Sequence, residues 1–183
     1  MKKKIELLVL FSLFIYSIYC SILIGPSFDE FVHNKNGEKL FNYIFSLGRR
    51  EYIDPIYLYH YGFYDFLGAL FSKNFTSNYL IESHHILNLI FSTLSVFGIY
   101  QISKKLFNKK IAKIAFLICF INPIYFGHFS INPKDTIIAF TYIWIFYLSI
   151  KYPQKQNNRN DRINYIFYLI LLISLGLGIR LTF

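Results

Sequence analysis

Cysteine is nearly absent from this chain. The two present, Cys20 and Cys119, both lie inside apolar runs, without metal-ligand spacing and without the numbers for a disulfide framework. Acidic residues are scarce too, ten against 19 Lys and Arg. No internal repeat is visible, and no polar block is long enough to be a soluble domain. What fills the space is apolar. Of 183 residues 55% are hydrophobic and 21% aromatic, with mean hydropathy +0.39, above the roughly 45–50% apolar content of ordinary globular domains. The excess comes in long blocks, which marks a membrane protein. The bias toward Lys, Asn, Ile, Phe and Tyr runs through apolar and polar segments alike and reads as genome composition.

The blocks are Leu7–Ile24, Ile86–Ser103, Ile114–Pro133, Thr136–Ile150 and Ile163–Ile179. A crossing helix needs about 20 apolar residues, with ~17 tolerated, so about five spans are expected. The fourth is short and borrows the residues before it. The first has a basic start, Lys2–Lys4, but its run is too long for a signal peptide and no small-x-small cleavage site comes after it, so an uncleaved span is expected.

Placing the N-terminus in the cytoplasm makes 1–6, 104–113 and 151–162 the inner pieces. They hold most of the basic residues and, of the ten acids, only Glu6 and Asp161; all five histidines fall outside. This is a positive-inside pattern over short loops. The net charge of +9 is therefore an orientation signal, and no nucleic-acid partner is needed.

Residues 25–83 form a long first outer loop. Loops beyond ~12–15 residues usually have structure or function. In "GEKLFNYIFSLG", Leu40, Tyr43, Ile44 and Leu47 share one helical face; in "YGFYDFLGALFS", Phe63, Phe66, Leu67 and Leu70 do the same. Both are too short to span and read as interfacial helices. "NFT" at Asn74–Thr76 fits a glycosylation sequon, relevant only in a eukaryotic secretory host.

Two stretches interrupt the apolar pattern. "GPSFDEF" sets Asp29 and Glu30 just after the first span. "INPIYFGHFSINPKD" sets Pro123, His128, Asn132, Pro133, Lys134 and Asp135 where a span would end. Irregular backbone at membrane depth is tolerated only in buried or wet surroundings. Each proline pushes its preceding Asn out of the helical region. The third span is therefore expected to fray from Asn122, Gly127–Ile131 to form a connection, and the fourth to begin near Pro133, whose first-turn amides favour anions. Adjacent acids on a loop point apart, so Asp29 and Glu30 read either as solvated loop residues or as acids desolvated near Asp135 and Lys134. His84, His85 and His128 read as interfacial caps or, with Asp and Glu, as ligands of a divalent metal cation, without a strong metal spacing. Arg180 is a phosphate partner or a snorkelling end residue.

One span, an Asp-Glu doublet, a large outer loop with two interfacial helices and further spans together resemble the N-terminal part of a GT-C class membrane glycosyltransferase, in the protein O-mannosyltransferase and aminoarabinose-transferase branch. "GHFSINPKD" (Gly127–Asp135) is similar to a GH-x-F-x-NPKD segment in bacterial proteins of that branch, with one extra residue between Phe129 and Asn132. "YLYHYGFYDFLGAL" and "IESHHILNLIF", with Glu82, His85 and Asn88, fit the same pattern. The resemblance implies an all-α polytopic bundle, multi-pass in a bacterial inner membrane, with residues 1–183 as one transmembrane domain forming the front of a larger one, inactive alone. It implies an inverting transfer of sugar from a polyprenyl-phosphate donor to an acceptor hydroxyl on a glycan, lipid or protein at the outer face. Asp29 would be the general base, with Glu30 beside it and Asp135 as second acid. Lys134, His128, Asn132, His85, Glu82 and Arg180 would contact substrate. The rival readings are a non-enzymatic membrane scaffold and a transporter fragment; a transporter would want ionisable groups near mid-membrane, whereas these acids lie outside the spans.

Overall fold

The computed structural model describes residues 2–49, 62–73, 75, 79–152 and 159–180. Among them the chain forms helices and no strands: α1 Lys2–Leu23, α2 Glu30–Phe45, α3 Phe63–Ser72, α4 Leu80–Leu106, α5 Lys109–Ile121, α6 Pro123–Ile131, α7 Pro133–Lys151 and α8 Arg159–Ile179. The sequon residues Asn74 and Thr76, and most of the polar turn at 153–158, lie outside the described residues.

The bundle is built inside-out relative to a soluble protein. Leu7, Phe11, Leu23 and Ile118 are among many large apolar side chains left exposed, whereas Ser17, Ser21, Asn88, Ser92 and Ser95 are buried. Lipid tails are as apolar as leucine, so burying leucine against leucine gains little; close packing of small residues and hydrogen bonds between helices hold such a bundle together. The helix α4 is the centre, touching α1, α3, α5, α6 and α7. Two apolar clusters sit beside its polar stripe: Tyr64, Leu87, Ile137, Leu175 and Ile179, and Leu89, Val96, Phe120 and Phe129. On its far flank the Trp144 indole donates to the Leu94 carbonyl at 3.1 Å.

α1, α4 and α8 are long and apolar enough to cross a membrane, and α5 with α6 make a fourth crossing if the bent pair counts as one. The fifth expected span, α7, packs along α4 and α8 but is less apolar than these. Its head carries Lys134 and Asp135 and its last turn Lys151, which dilutes an apolar stretch that is only Thr136–Ile150.

The break at Asn122 is where the sequence pattern puts it, but the residues beyond it are helical. The Asn122 side chain accepts from the amides of Ile124 and Tyr125 at 3.0 and 3.1 Å. Pro123 occupies the first helical position. An Asn-Pro pair that cannot continue one helix is well made to start another. Gly127–Ile131 is therefore the second half of a helix bent 65° from α5, not a connection. The same device recurs at once: Asn132 caps α7 and accepts from the Asp135 amide at 3.3 Å. Thr136 adds an Oγ1–H bond to the Asn132 carbonyl at 2.7 Å.

The two short helices are present, and the residues they turn inward are mostly polar or small. On α2 the residues turned inward are Glu30, His33, Asn36 and Gly37, and Tyr43, Ile44 and Leu47 are exposed. On α3 the inward residues are Tyr64, Asp65, Gly68, Ala69 and Ser72. Apolar stripes pointing outward and polar stripes pointing inward are what lipid-facing helices require.

Close approach is needed at both glycines, Gly37 and Gly68. A Cβ on Gly68 would lie 2.5 Å from Cε1 of the buried His84 ring. Gly68→Ala is expected to force α3 off α4 and lower stability by about 1–3 kcal/mol, read as a reduced melting temperature in detergent.

Candidate functional site

The acid doublet divides at the start of α2. Asp29 is the N-cap residue, but its side chain makes no capping hydrogen bond and it is exposed. Glu30, one residue on, is 1% exposed. Its Oε2 accepts from the Ser27 amide at 2.7 Å, closing the turn that carries Asp29. Its Oε1 meets Nε2 of His85 at 2.7 Å. On the opposite edge of that ring, Nδ1 lies 2.9 Å from the Ser21 carbonyl. A carbonyl can only accept, so Nδ1 carries a proton and donates. The Nε2–Oε1 contact then holds one proton between the two groups, on imidazolium or on carboxyl. His85 thus ties the end of α1 to the start of α2 from a position on α4.

A second histidine–carboxylate pair lies next to the first. His33 Nδ1 is 2.7 Å from Asp65 Oδ1, and Asn36 Nδ2 donates to Asp65 Oδ2. Asp65 is 1% exposed. Tyr64 stands edge-on between His33 and His84, with centroids at 5.7 and 6.2 Å. Burial, chiefly, pushes the Tyr64 phenol well above its ordinary range, and the charges of Glu30 and Asp65 act the same way. It stays neutral. His84 is buried with neither ring nitrogen hydrogen-bonded among the described residues.

The second quoted stretch is tied into the same network. Ser21 Oγ and Ser130 Oγ are 2.5 Å apart. Asn88 donates to the Ser130 carbonyl at 2.7 Å, and Ser92 to that of Phe129 at 3.0 Å. A run of contacts therefore passes from Glu30 through His85 and Ser21 to Ser130, two residues ahead of Asn132. At the head of α7, Asp135 accepts from Asn132 Nδ2 at 3.1 Å and from Arg180 Nη1 at 3.2 Å. The ion pair is more than half exposed on both sides, 54% for Arg180 and 59% for Asp135. Lys134 is half-buried in the first turn of α7, His128 is exposed in the last turn of α6, and Glu82 is half-buried in the first turn of α4.

The arrangement separates two jobs. Glu30, His85, Asp65, His33 and Asn36 are consumed by one another inside the protein. Asp29 and the Asp135–Arg180 pair are presented at the surface, where they can meet a ligand. No group of three or more His, Cys, Asp or Glu among the described residues is arranged to hold a metal ion.

Sequence reading missed Asp65, His33 and Asn36 as parts of this site, and put Glu30 beside the chemistry where the structure buries it under the Asp29 turn. A signal was available. Glu30, His33 and Gly37 recur at helical spacing on α2, and Asp65, Gly68 and Ser72 do so on α3 on the face opposite Phe63, Phe66 and Leu70.

Residues 63–182 match the family described as dolichyl-phosphate-mannose-protein mannosyltransferase. No curated protein and no solved structure is similar enough to match. The matched segment starts at α3, so Asp29, Glu30 and His33 precede it, while Asp65, His85, Asn132, Asp135 and Arg180 lie within it. It covers well over half of the chain, which therefore belongs to the dolichyl-phosphate-mannose-protein mannosyltransferase family, multi-pass membrane glycosyltransferases of the GT-C type that move sugar from a lipid-linked donor to an acceptor.

Proposed function

We propose that this chain carries the acceptor-activating part of an inverting sugar transferase working at the outer face of a bacterial inner membrane, with its N-terminus in the cytoplasm. The donor is a sugar on a polyprenyl phosphate and the acceptor is a hydroxyl of a glycan, lipid or protein. Asp29 takes the proton of that hydroxyl. The oxygen attacks the anomeric carbon in line, the bond from that carbon to the phosphate oxygen breaks, and the lipid phosphate leaves with the electron pair. The contrast within the doublet carries this reading: Glu30 is engaged on both oxygens, while Asp29 sits exposed on the same turn without a capping bond. A base must be able to reach the acceptor proton, and only Asp29 of the two can. Basic residues on the loops opposite support the orientation.

Charge developing on the leaving phosphate needs a cation. Arg180, held by Asp135 beside the first turn of α7, fits that need, with Lys134 and His128 as further contacts. Arg180→Ala is expected to slow transfer by about 10-fold or more while moving stability by no more than about 1 kcal/mol, because the pair is exposed. Transfer rate and melting temperature in the same membranes check both.

The direct test supplies mannosyl and aminoarabinosyl polyprenyl phosphates to membranes carrying the complete gene product. Transfer with inversion at the anomeric carbon is the expected result. Retention of configuration, or no transfer from either donor, overturns the proposal.

A further inference from the structure

The buried Asp65 has no place in the chemistry just described, yet it is among the most completely enclosed charged residues of the chain. We infer that Asp65 is a positioning residue: with His33 and Asn36 it clamps the N-terminal half of α2 to α3, and through that holds Asp29 where it meets the acceptor. The inference rests on the reading that Asp29 takes the acceptor's proton.

The N-terminal half of α2 is held at two points. Glu30 fixes the first turn to His85 on α4 at 2.7 Å. His33 and Asn36, one turn further on, both end on the Asp65 carboxylate of α3. Just after Asn36 the backbones come together, because Gly37 faces the Asp65 carbonyl so closely that a Cβ there would overlap it. The C-terminal half is held differently, by Phe41 stacked on Phe66 at 6.3 Å and by Lys73 Nζ lying 3.3 Å from the Phe41 ring centroid. Those contacts leave the start of the helix free to pivot. Without Asp65, His33 and Asn36 would lose an acceptor inside the protein, and the turn bearing Asp29 would lose one of its two fixed points. A base displaced by about 1 Å can cost on the order of 100-fold in rate.

The two amide–carboxylate partners allow a decisive exchange. Asp65→Asn alone leaves one acceptor oxygen where the carboxylate offered two, so Asn36 keeps a bond to position 65 only by turning its amide over. Adding Asn36→Asp restores an amide–carboxylate bond with donor and acceptor swapped, and leaves an oxygen at position 65 for His33. The test uses the complete gene product in proteoliposomes, with Cys20 and Cys119 replaced by alanine. Spin labels are placed at the exposed Glu38 on α2 and Leu94 on α4. Asp65→Asn is expected to broaden the label–label distance distribution and to lower kcat about 100-fold with donor KM unchanged. The swapped pair should sharpen the distribution and return most of the rate. An unchanged distribution in Asp65→Asn, or one that stays broad in the swapped pair, overturns the clamp. If the distances respond as expected but the parent protein transfers no sugar, the clamp stands and the base assignment of Asp29 falls.

Discussion

Asp29→Asn is expected to remove sugar transfer while leaving the protein folded and inserted. The asparagine keeps the size and the N-cap position but cannot take a proton at neutral pH. General bases contribute about 10²–10⁴-fold, so residual transfer should fall to 1% or below on that scale. Stability should hardly move, because the Asp29 side chain makes no capping hydrogen bond to lose; asparagine is itself a favoured cap. The loss should appear in kcat with donor KM retained, since the carboxylate acts on the acceptor proton. Glu30→Gln is the contrasting variant. It disturbs a buried pair and so should lower the melting temperature as well as the rate. Full activity in Asp29→Asn, with Glu30→Gln inactive but folded, would move the base to Glu30.

How much of this could be read in advance depends on the distance over which each feature is decided. The break at Asn122 and the helix start at Pro133 were legible because an Asn-Pro pair acts within four residues: the cap, the missing donor and the fixed φ are all local. The spans were legible for the same reason, each being a run of apolar residues. The fifth, α7, is the marginal one, because Lys134, Asp135 and Lys151 flank a short apolar stretch. The apolar faces of α2 and α3 were legible from their spacing, but the polar residues on their inward sides were not recognised as partners of one another. The site itself was the least legible. His33 meets Asp65 across 32 positions, His85 meets Glu30 across 55, and Ser21 meets Ser130 across 109. Nothing in local pattern pairs such residues. The surface pair of Asp135 with Arg180, 45 positions apart, was foreseen as two candidates but not as one ion pair.

The second large effect concerns His85, and it separates the stability of the buried pair from its use. His85→Ala strands Glu30 in the interior with the Ser27 amide as its one remaining hydrogen-bond partner among the described residues, and leaves the Ser21 carbonyl without its donor. Breaking a buried pair on one side costs about 3–5 kcal/mol, because the surviving charge has lost both water and partner. Replacing both members by apolar residues of similar size removes that stranded charge and is often nearly neutral. His85→Ala should therefore melt much earlier than the parent, whereas Glu30→Leu with His85→Leu should recover most of the loss. The half-buried thiols of Cys20 and Cys119 can report the transition through a thiol-reactive dye in detergent. Transfer activity should follow a different order. The double variant regains stability but not the Ser27–Glu30 bond that closes the Asp29 turn, so it should stay slow. Recovery of rate along with stability would mean that the pair serves only to hold the bundle together. A stable but slow double variant would show that Glu30 and His85 are kept, at a cost in buried charge, because they aim the residue next to them.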